Sequence, residues 1–170
     1  MNHLKNATNE RHKKAEAMPF NQEMLQGKLS KEAYGAYLLQ QQSIFEELER
    51  QALPHPRLAR KMAIQSDIDD LGDILDNLMI LDATKSYCKH LQNLSAEDRL
   101  AHVYLNYMAL LFGGQISKQK IPSKGNIYSF EHPAELVKSI RALQKDSWAE
   151  EANKGFEYHI RILKELELYL

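Results

Sequence analysis

Two adjacent glycines, Gly113 and Gly114, interrupt a long helical pattern and so constrain what this chain can fold into. The run Ala101-His102-Val103-Tyr104-Leu105-Asn106-Tyr107-Met108-Ala109-Leu110-Leu111-Phe112 precedes them, and Gln115-Ile116-Ser117-Lys118-Gln119-Lys120-Ile121 can resume the helix. Each interior glycine costs about 1 kcal/mol against alanine, so the pair costs about 2 kcal/mol. A chain keeps such a pair where a helix bends, or where backbone must approach something flat with no side chain between. A helix end with glycine at its C-cap is the other account of the same residues.

The remaining pattern predicts an all-α fold. Five prolines and seven glycines in 170 residues, with few β-branched runs, leave little material for strands and turns. We expect a single domain over 1–170. Helices are expected over residues 2–17 and 22–26, then from Ser30 to a break at Pro54 and Pro56. Further helices are expected over 57–80, with an interruption near Gly72, and over 83–94. Ser95-Ala96-Glu97-Asp98 is an N-terminal capping signature that opens the glycine-containing helix. A loop over 122–129 leads to two closing helices, 133–145 and 148–168. The last carries Ala152, Phe156, His159, Ile160, Leu163 and Leu166 as an apolar stripe.

A formal net charge of −1 gives no global field for nucleic acid. The single cysteine, Cys88, excludes an internal disulfide and suits a reducing cytosol. No apolar run reaches the roughly 18 residues of a membrane span, and Met1-Asn2-His3-Leu4-Lys5 does not begin a secretory signal. A cytoplasmic helical domain is the expectation.

His12 and Glu16 lie one turn apart on the first helix and share a face. A metal-binding histidine usually needs a partner for its second ring nitrogen, and such a carboxylate can serve; solvated helix faces carry the same spacing by chance. The spacing becomes specific in combination. His12 within Leu4-Lys5-Asn6-Ala7-Thr8-Asn9-Glu10-Arg11-His12-Lys13-Lys14-Ala15-Glu16, then Phe45-Glu46-Glu47-Leu48-Glu49-Arg50, Ala101-His102-Val103-Tyr104, Gly113-Gly114-Gln115 and Glu150-Glu151-Ala152-Asn153-Lys154-Gly155-Phe156, in that order, closely resemble the heme oxygenase family.

The resemblance implies a heme oxygenase-like helical bundle, with heme b between a proximal N-terminal helix and a kinked distal helix. It implies O2- and electron-dependent cleavage of heme to biliverdin, CO and Fe2+, heme being both cofactor and substrate. His12 would be the axial iron ligand, Glu16 its orienting partner, and Gly113 and Gly114 the point where distal backbone nears iron-bound oxygen. Lys5, Lys138 and Arg141 would meet the propionates. Phe156, His159, Phe20 and Met24 would line the pocket, although core packing accounts equally well for Phe20 and Met24, and a satisfied boundary histidine accounts for His159. Electrons would come from a ferredoxin, a flavodoxin or an NAD(P)H-dependent reductase, steered by Lys5, Arg11, Lys13, Lys14, Lys118 and Lys120.

The chain departs from the better-known members at one place. Ala109 and Leu110 stand where those members carry Gly-Asp, and Phe112 stands for the serine before the glycines. Leucine neither donates nor accepts, so a distal proton network must be absent or rebuilt; Tyr104, Asn106 and Gln41 are candidates. A heme carrier or sensor of the same fold, without turnover, is the alternative function. A magnesium-dependent diphosphate enzyme is suggested only by Asp69-Asp70-Leu71-Gly72-Asp73, which lacks a second acidic motif. Cys88 lies outside the recognisable pocket segments, and no two-iron spacing is evident.

Overall fold

Three of the α-helices are started by an N-cap side chain that accepts from a free backbone donor. The computed structural model describes residues 2–170, and no strand occurs among them. Asn2 accepts from Lys5 N to open α1 (His3–Glu16). Pro19 begins α2 (Pro19–Leu25), where its missing N–H costs nothing. Ser30 caps α3 (Lys31–Leu48), and Ser95 caps α6 (Ala96–Leu111) through the Asp98 N–H, as the sequence signature predicts.

The helix expected over 57–80 is shorter. A 3-10 turn at Pro56–Leu58 precedes α4 (Lys61–Leu71), whose first N–H groups are taken by the Glu49 carboxylate. Gly72 ends α4 at φ +66°, and the chain reaches α5 (Asp82–Gln92) through a second 3-10 turn. The two closing helices also start later or stop earlier than the pattern suggests: α8 is Pro133–Arg141 and α9 is Ala149–Leu166.

The core forms around α3, whose Tyr34, Leu38, Ile44, Phe45 and Leu48 are all buried. Against it pack α4, α5, α6 and α9. A smaller apolar cluster of Leu4, Ala101, Trp148 and Ala152 ties α1 to α6 and α9. Helix α9 is the common neighbour of α1, α5 and α6, so it fixes where the first and sixth helices stand relative to each other.

Two buried charges anchor the loop after the glycine segment. Asp67 is fully buried, and its two carboxylate oxygens accept from Asn126 N (3.0 Å) and Ile127 N (2.9 Å). The Arg60 guanidinium donates to the carbonyls of Asn126, Ile127 and Ser129 and lies 3.8 Å over the Phe130 ring. Asp67→Ala leaves two buried N–H groups unpaired and should lower stability by about 2–4 kcal/mol in urea unfolding. Asp67→Asn, which keeps one acceptor, should lose less; equal stability of all three proteins would show that the loop is not held this way.

Candidate functional site

The glycine pair sits at a break in the helix, not at its final end. Helix α6 stops at Leu111, Phe112 leaves helical geometry at φ −107° and ψ −80°, and α7 (Gly113–Ser117) resumes at once. Gly114 is there for contact: a Cβ on it would lie 2.4 Å from the Tyr128 ring. That ring belongs to the loop held by Asp67 and Arg60, so the buried charges fix the direction in which α7 leaves. Gly113 differs, since a Cβ there would meet nothing within 4 Å. Ala109, Phe112, Gly113 and Ile116 are all exposed, and their spacing places them along one side of the broken helix. The result is an uncovered apolar strip with bare backbone in its middle.

Helix α1 presents an exposed face that carries Lys5, His12 and Glu16. His12 Nε2 lies 3.2 Å from Glu16 Oε1, and the imidazole centroid is 5.6 Å from the Phe156 ring of α9. The Arg11–Glu157 ion pair and the bond from Asn153 to the Ala7 carbonyl hold α1 on α9. One turn after Phe156, His159 bonds Asn106 of α6 at 2.8 Å. A single face of α9 therefore reaches the His12 helix with one side chain and the glycine-bearing helix with the next.

From Asn106 a chain of polar side chains runs through the interior. Asn106 donates through Nδ2 to the Tyr87 hydroxyl oxygen (3.0 Å) and to the His102 carbonyl (2.8 Å), leaving Oδ1 to accept from His159 Nε2–H. Tyr87 donates to His102 Nδ1 (2.8 Å), and His102 Nε2–H donates to Glu151 Oε2 (2.8 Å). His90 donates to the same oxygen (2.9 Å), while Lys154 takes Oε1 (2.9 Å). An ionised carboxylate only accepts, so it fixes the tautomer of both histidines and with it the direction of every bond upstream.

Burial keeps both interior imidazoles neutral. It lowers His102 to about 4 although Glu151 pulls the other way, and it lowers His159 to about 4 with the nearby His102 adding to the effect. For Glu151 burial alone would raise the value; the bonds from His102, Lys154 and His90 outweigh it and hold the carboxyl at about 2. Gly155 makes this packing possible, because a Cβ there would lie 2.4 Å from Leu105 and 3.0 Å from the His102 ring.

The other expected site residues fall into distinct places. Phe20 and Met24 are enclosed by protein, with Phe20 beside the Tyr37 ring and Met24 Sδ accepting from Tyr128, so both are core residues here. Leu110 is buried and Ala109 exposed. Tyr104 packs against Trp148 and takes no part in the polar chain, whereas Asn106 sits at its centre. Gln41 is buried on α3. Lys138 is exposed on α8, and Arg141, also exposed, stands 5.7 Å over the Phe112 ring. The acidic run converges on nothing: Asp67 serves the loop, Asp69 bonds Gln65, and Asp70 pairs with Lys124. Burial raises the Cys88 thiol to about 11, which makes it a poor nucleophile. Sequence reasoning missed Tyr87 and His90, one turn apart on α5, and the role of Glu151 on α9, which share no motif.

Comparisons with known proteins agree with the all-helical fold. A family model described as Heme oxygenase matches residues 1–138. Heme oxygenase 2 of Macaca fascicularis is 30% identical over 203 aligned residues, covering 96% of this chain and 64% of the relative. Heme oxygenase 2 of Rattus norvegicus is 29% identical over the same extent. The chain thus spans a little under two thirds of the length of these relatives. Among solved structures, heme oxygenase-1 from the cyanobacterium Synechocystis in complex with heme superposes with a TM-score of 0.84 at 20% identity, over 96% of this chain and 90% of that one. Heme oxygenase from Leptospira interrogans gives 0.81 at 22% identity, over 95% and 97%.

The neutral histidines make stability depend on pH. Unfolded, His102 and His159 return to their ordinary value of 6.5 and bind protons that the native state refuses until about 4. Stability should therefore fall as pH drops from 6.5 toward 4, and Glu151 should extend the fall from 4.5 toward 2. His159→Asn should flatten the upper part of that decline in urea unfolding. A midpoint unchanged between pH 6.5 and 4.5 in the unaltered chain would show that these imidazoles are not held neutral.

Proposed function

The chain belongs to the heme oxygenase family, and from that we propose that it binds heme b and cleaves it with O2 and external electrons to biliverdin, CO and Fe2+. The observation that carries the reading is that α9 joins the two candidate elements: Phe156 lies beside His12 of α1, and His159, three residues on, bonds Asn106 of the helix that ends at the glycine pair. A flat apolar ligand with one axial metal bond would take the His12 imidazole on one side and the bare backbone beside exposed Ala109, Phe112 and Ile116 on the other.

Bound heme would supply both the iron that activates O2 and the ring that is oxidised. His12 would hold the iron. Its Nε2 now faces Glu16, so ligation through Nε2 asks the ring to turn and give Nδ1 to that carboxylate. Lys5, Lys138 and Arg141 are exposed cations available to the propionates. Phe156 would press on the ring from α9, and Gly113 would let the α7 backbone come close from the other side.

On the distal side Leu110 offers no polar group, so proton handling falls to α9 and the turn before. His159 carries its proton on Nε2 against Asn106 Oδ1, and the interior chain through Tyr87 backs that bond. Crowding by Phe112 and Ile116 would limit water at the strip. The basic face of α1, with Lys5, Lys13 and Lys14 exposed, suits an acidic donor such as a ferredoxin or flavodoxin, with an NAD(P)H-dependent reductase behind it. No described helix is long and apolar enough to cross a membrane, and the half-buried, unreactive thiol of Cys88 fits a reducing cytoplasm.

Hemin added to the chain, followed by reduction in air, tests the reading directly. Loss of the Soret band with growth of biliverdin absorption is expected; a persistent Soret band under effective reduction would identify a carrier. His12→Ala should abolish the imidazole-ligated spectrum and slow turnover at least tenfold, with partial rescue by added imidazole. An unchanged spectrum in that variant would assign the ligand elsewhere. Leu110→Asp should alter the pH dependence of turnover while leaving the resting spectrum's axial ligand unchanged. A pH profile identical to that of the unaltered chain would place proton handling away from that position.

A further inference from the structure

We infer that His90, His102 and Glu151 form a binding site for one divalent cation of the zinc class, at the opposite end of the interior polar chain from His159. One donor atom from each residue lies within 4.8 Å of the other two, and the three residues come from α5, α6 and α9. Both imidazoles aim Nε2 at one carboxylate oxygen, at 2.9 and 2.8 Å. Two imidazole nitrogens with one carboxylate oxygen match zinc and its neighbours; calcium and magnesium prefer oxygen throughout.

The geometry is close to what such an ion needs. A tetrahedral zinc with ligands at about 2.0–2.1 Å spaces them roughly 3.3 Å apart, so the present contacts must open by about 0.5 Å. Glu151 can give that distance, because its other oxygen is tied only to Lys154, which is itself on the surface. His90 and Glu151 keep 22% and 13% side-chain exposure, which gives the ion a way in and a fourth position for water. His102 is completely buried, and its remaining nitrogen is held by Tyr87, the kind of support that orients a metal-binding imidazole. Lys154 opposes the cation, so Lys154→Met should tighten binding.

A consequence reaches well beyond the ion. Ligation takes the lone pair of His102 Nε2, so the ring proton must sit on Nδ1 and donate to the Tyr87 oxygen. The Tyr87 hydroxyl then donates to Asn106 Oδ1 once that amide turns over, and Asn106 Nδ2 donates to His159 Nε2. The run of bonds reverses direction from end to end; the turned amide sets Asn106 Oδ1 toward the His102 carbonyl oxygen, now 2.8 Å from Nδ2, so that bond is lost and the two acceptors must move apart. His159 changes from an Nε2–H to an Nδ1–H tautomer. Cation binding across α5, α6 and α9 thereby sets whether His159 carries its proton on Nε2 or on Nδ1. The cation site itself shares no residue with the heme assignment and stands or falls separately.

Zinc chloride titrated into the full chain by calorimetry, with a chromogenic chelator in competition, tests the inference. One ion per chain is expected, with affinity at least tenfold weaker in His90→Asn and unchanged within twofold in His12→Asn. Melting curves show whether His90→Asn remains folded, and zinc should raise the melting temperature of the unaltered chain but not of that variant. Nitrogen-15 NMR should show His102 and His159 exchanging tautomers on zinc addition, and Asn106→Ala should uncouple His159 while His102 still responds. Affinity equal in His90→Asn and the unaltered chain, or zinc binding with no change at His102, would leave a hydrogen-bonded tripod only and overturn the site.

Discussion

The contact between α9 and α6 at Gly155 is the constraint on which the rest of the molecule depends. With no side chain at that position the two helices close until Leu105 and the His102 ring touch backbone. Only at that spacing does Glu151 reach His102, and only then does His159 reach Asn106 one helical stretch later. The same α9 carries Phe156 to His12 and Glu157 to Arg11. Position along one helix thus becomes distance between two others.

The break at the glycine pair is set by a different device. Phe112 breaks the helix, but the new direction is stabilised from the loop, through Tyr128 against Gly114 and through Asp67 and Arg60 on the loop backbone. A helix broken only by glycine entropy would be free to swing. Here the buried carboxylate and guanidinium turn a weak point into a defined angle, while Gly113 next to it stays uncovered. The two glycines therefore do separate jobs, one packing and one leaving space.

Local signals in the sequence were sufficient wherever the determinant was local. The caps at Ser30 and Ser95 and the apolar stripe of α3 act within a few residues and read directly from the chain, whereas α3 ends at Leu48, ahead of the break expected at Pro54 and Pro56. The helix expected over 57–80 failed at both ends because its limits come from afar: Glu49 caps its start, and Gln40 holds Met79 and Leu81 in an extended path. The same division holds at the site. His12 with Glu16 and the glycine pair were visible as motifs, whereas Tyr87 and His90 of α5 meet His102 and Glu151 only through tertiary packing, which no spacing along the chain betrays. Phe20 and Met24 illustrate the converse, since an apolar residue near a motif reads the same whether protein or ligand covers it.

Leucine at position 110 changes where polarity can reside in this bundle. A carboxylate there would have drawn water onto the strip and needed partners on α6 itself. Without it, the polar groups of α6 lie one turn earlier and point into the protein: Asn106 toward His159, and His102 toward Tyr87 and Glu151. A proton on His159 then answers to the tautomers of residues deep in the core more than to solvent near Phe112. Because neutral imidazoles in a low-dielectric interior exchange protons only with bonded partners, the direction of that hydrogen-bond run becomes a property of the whole α5–α6–α9 interface. Chemistry at the proposed heme face would in this way be tuned by packing at its back.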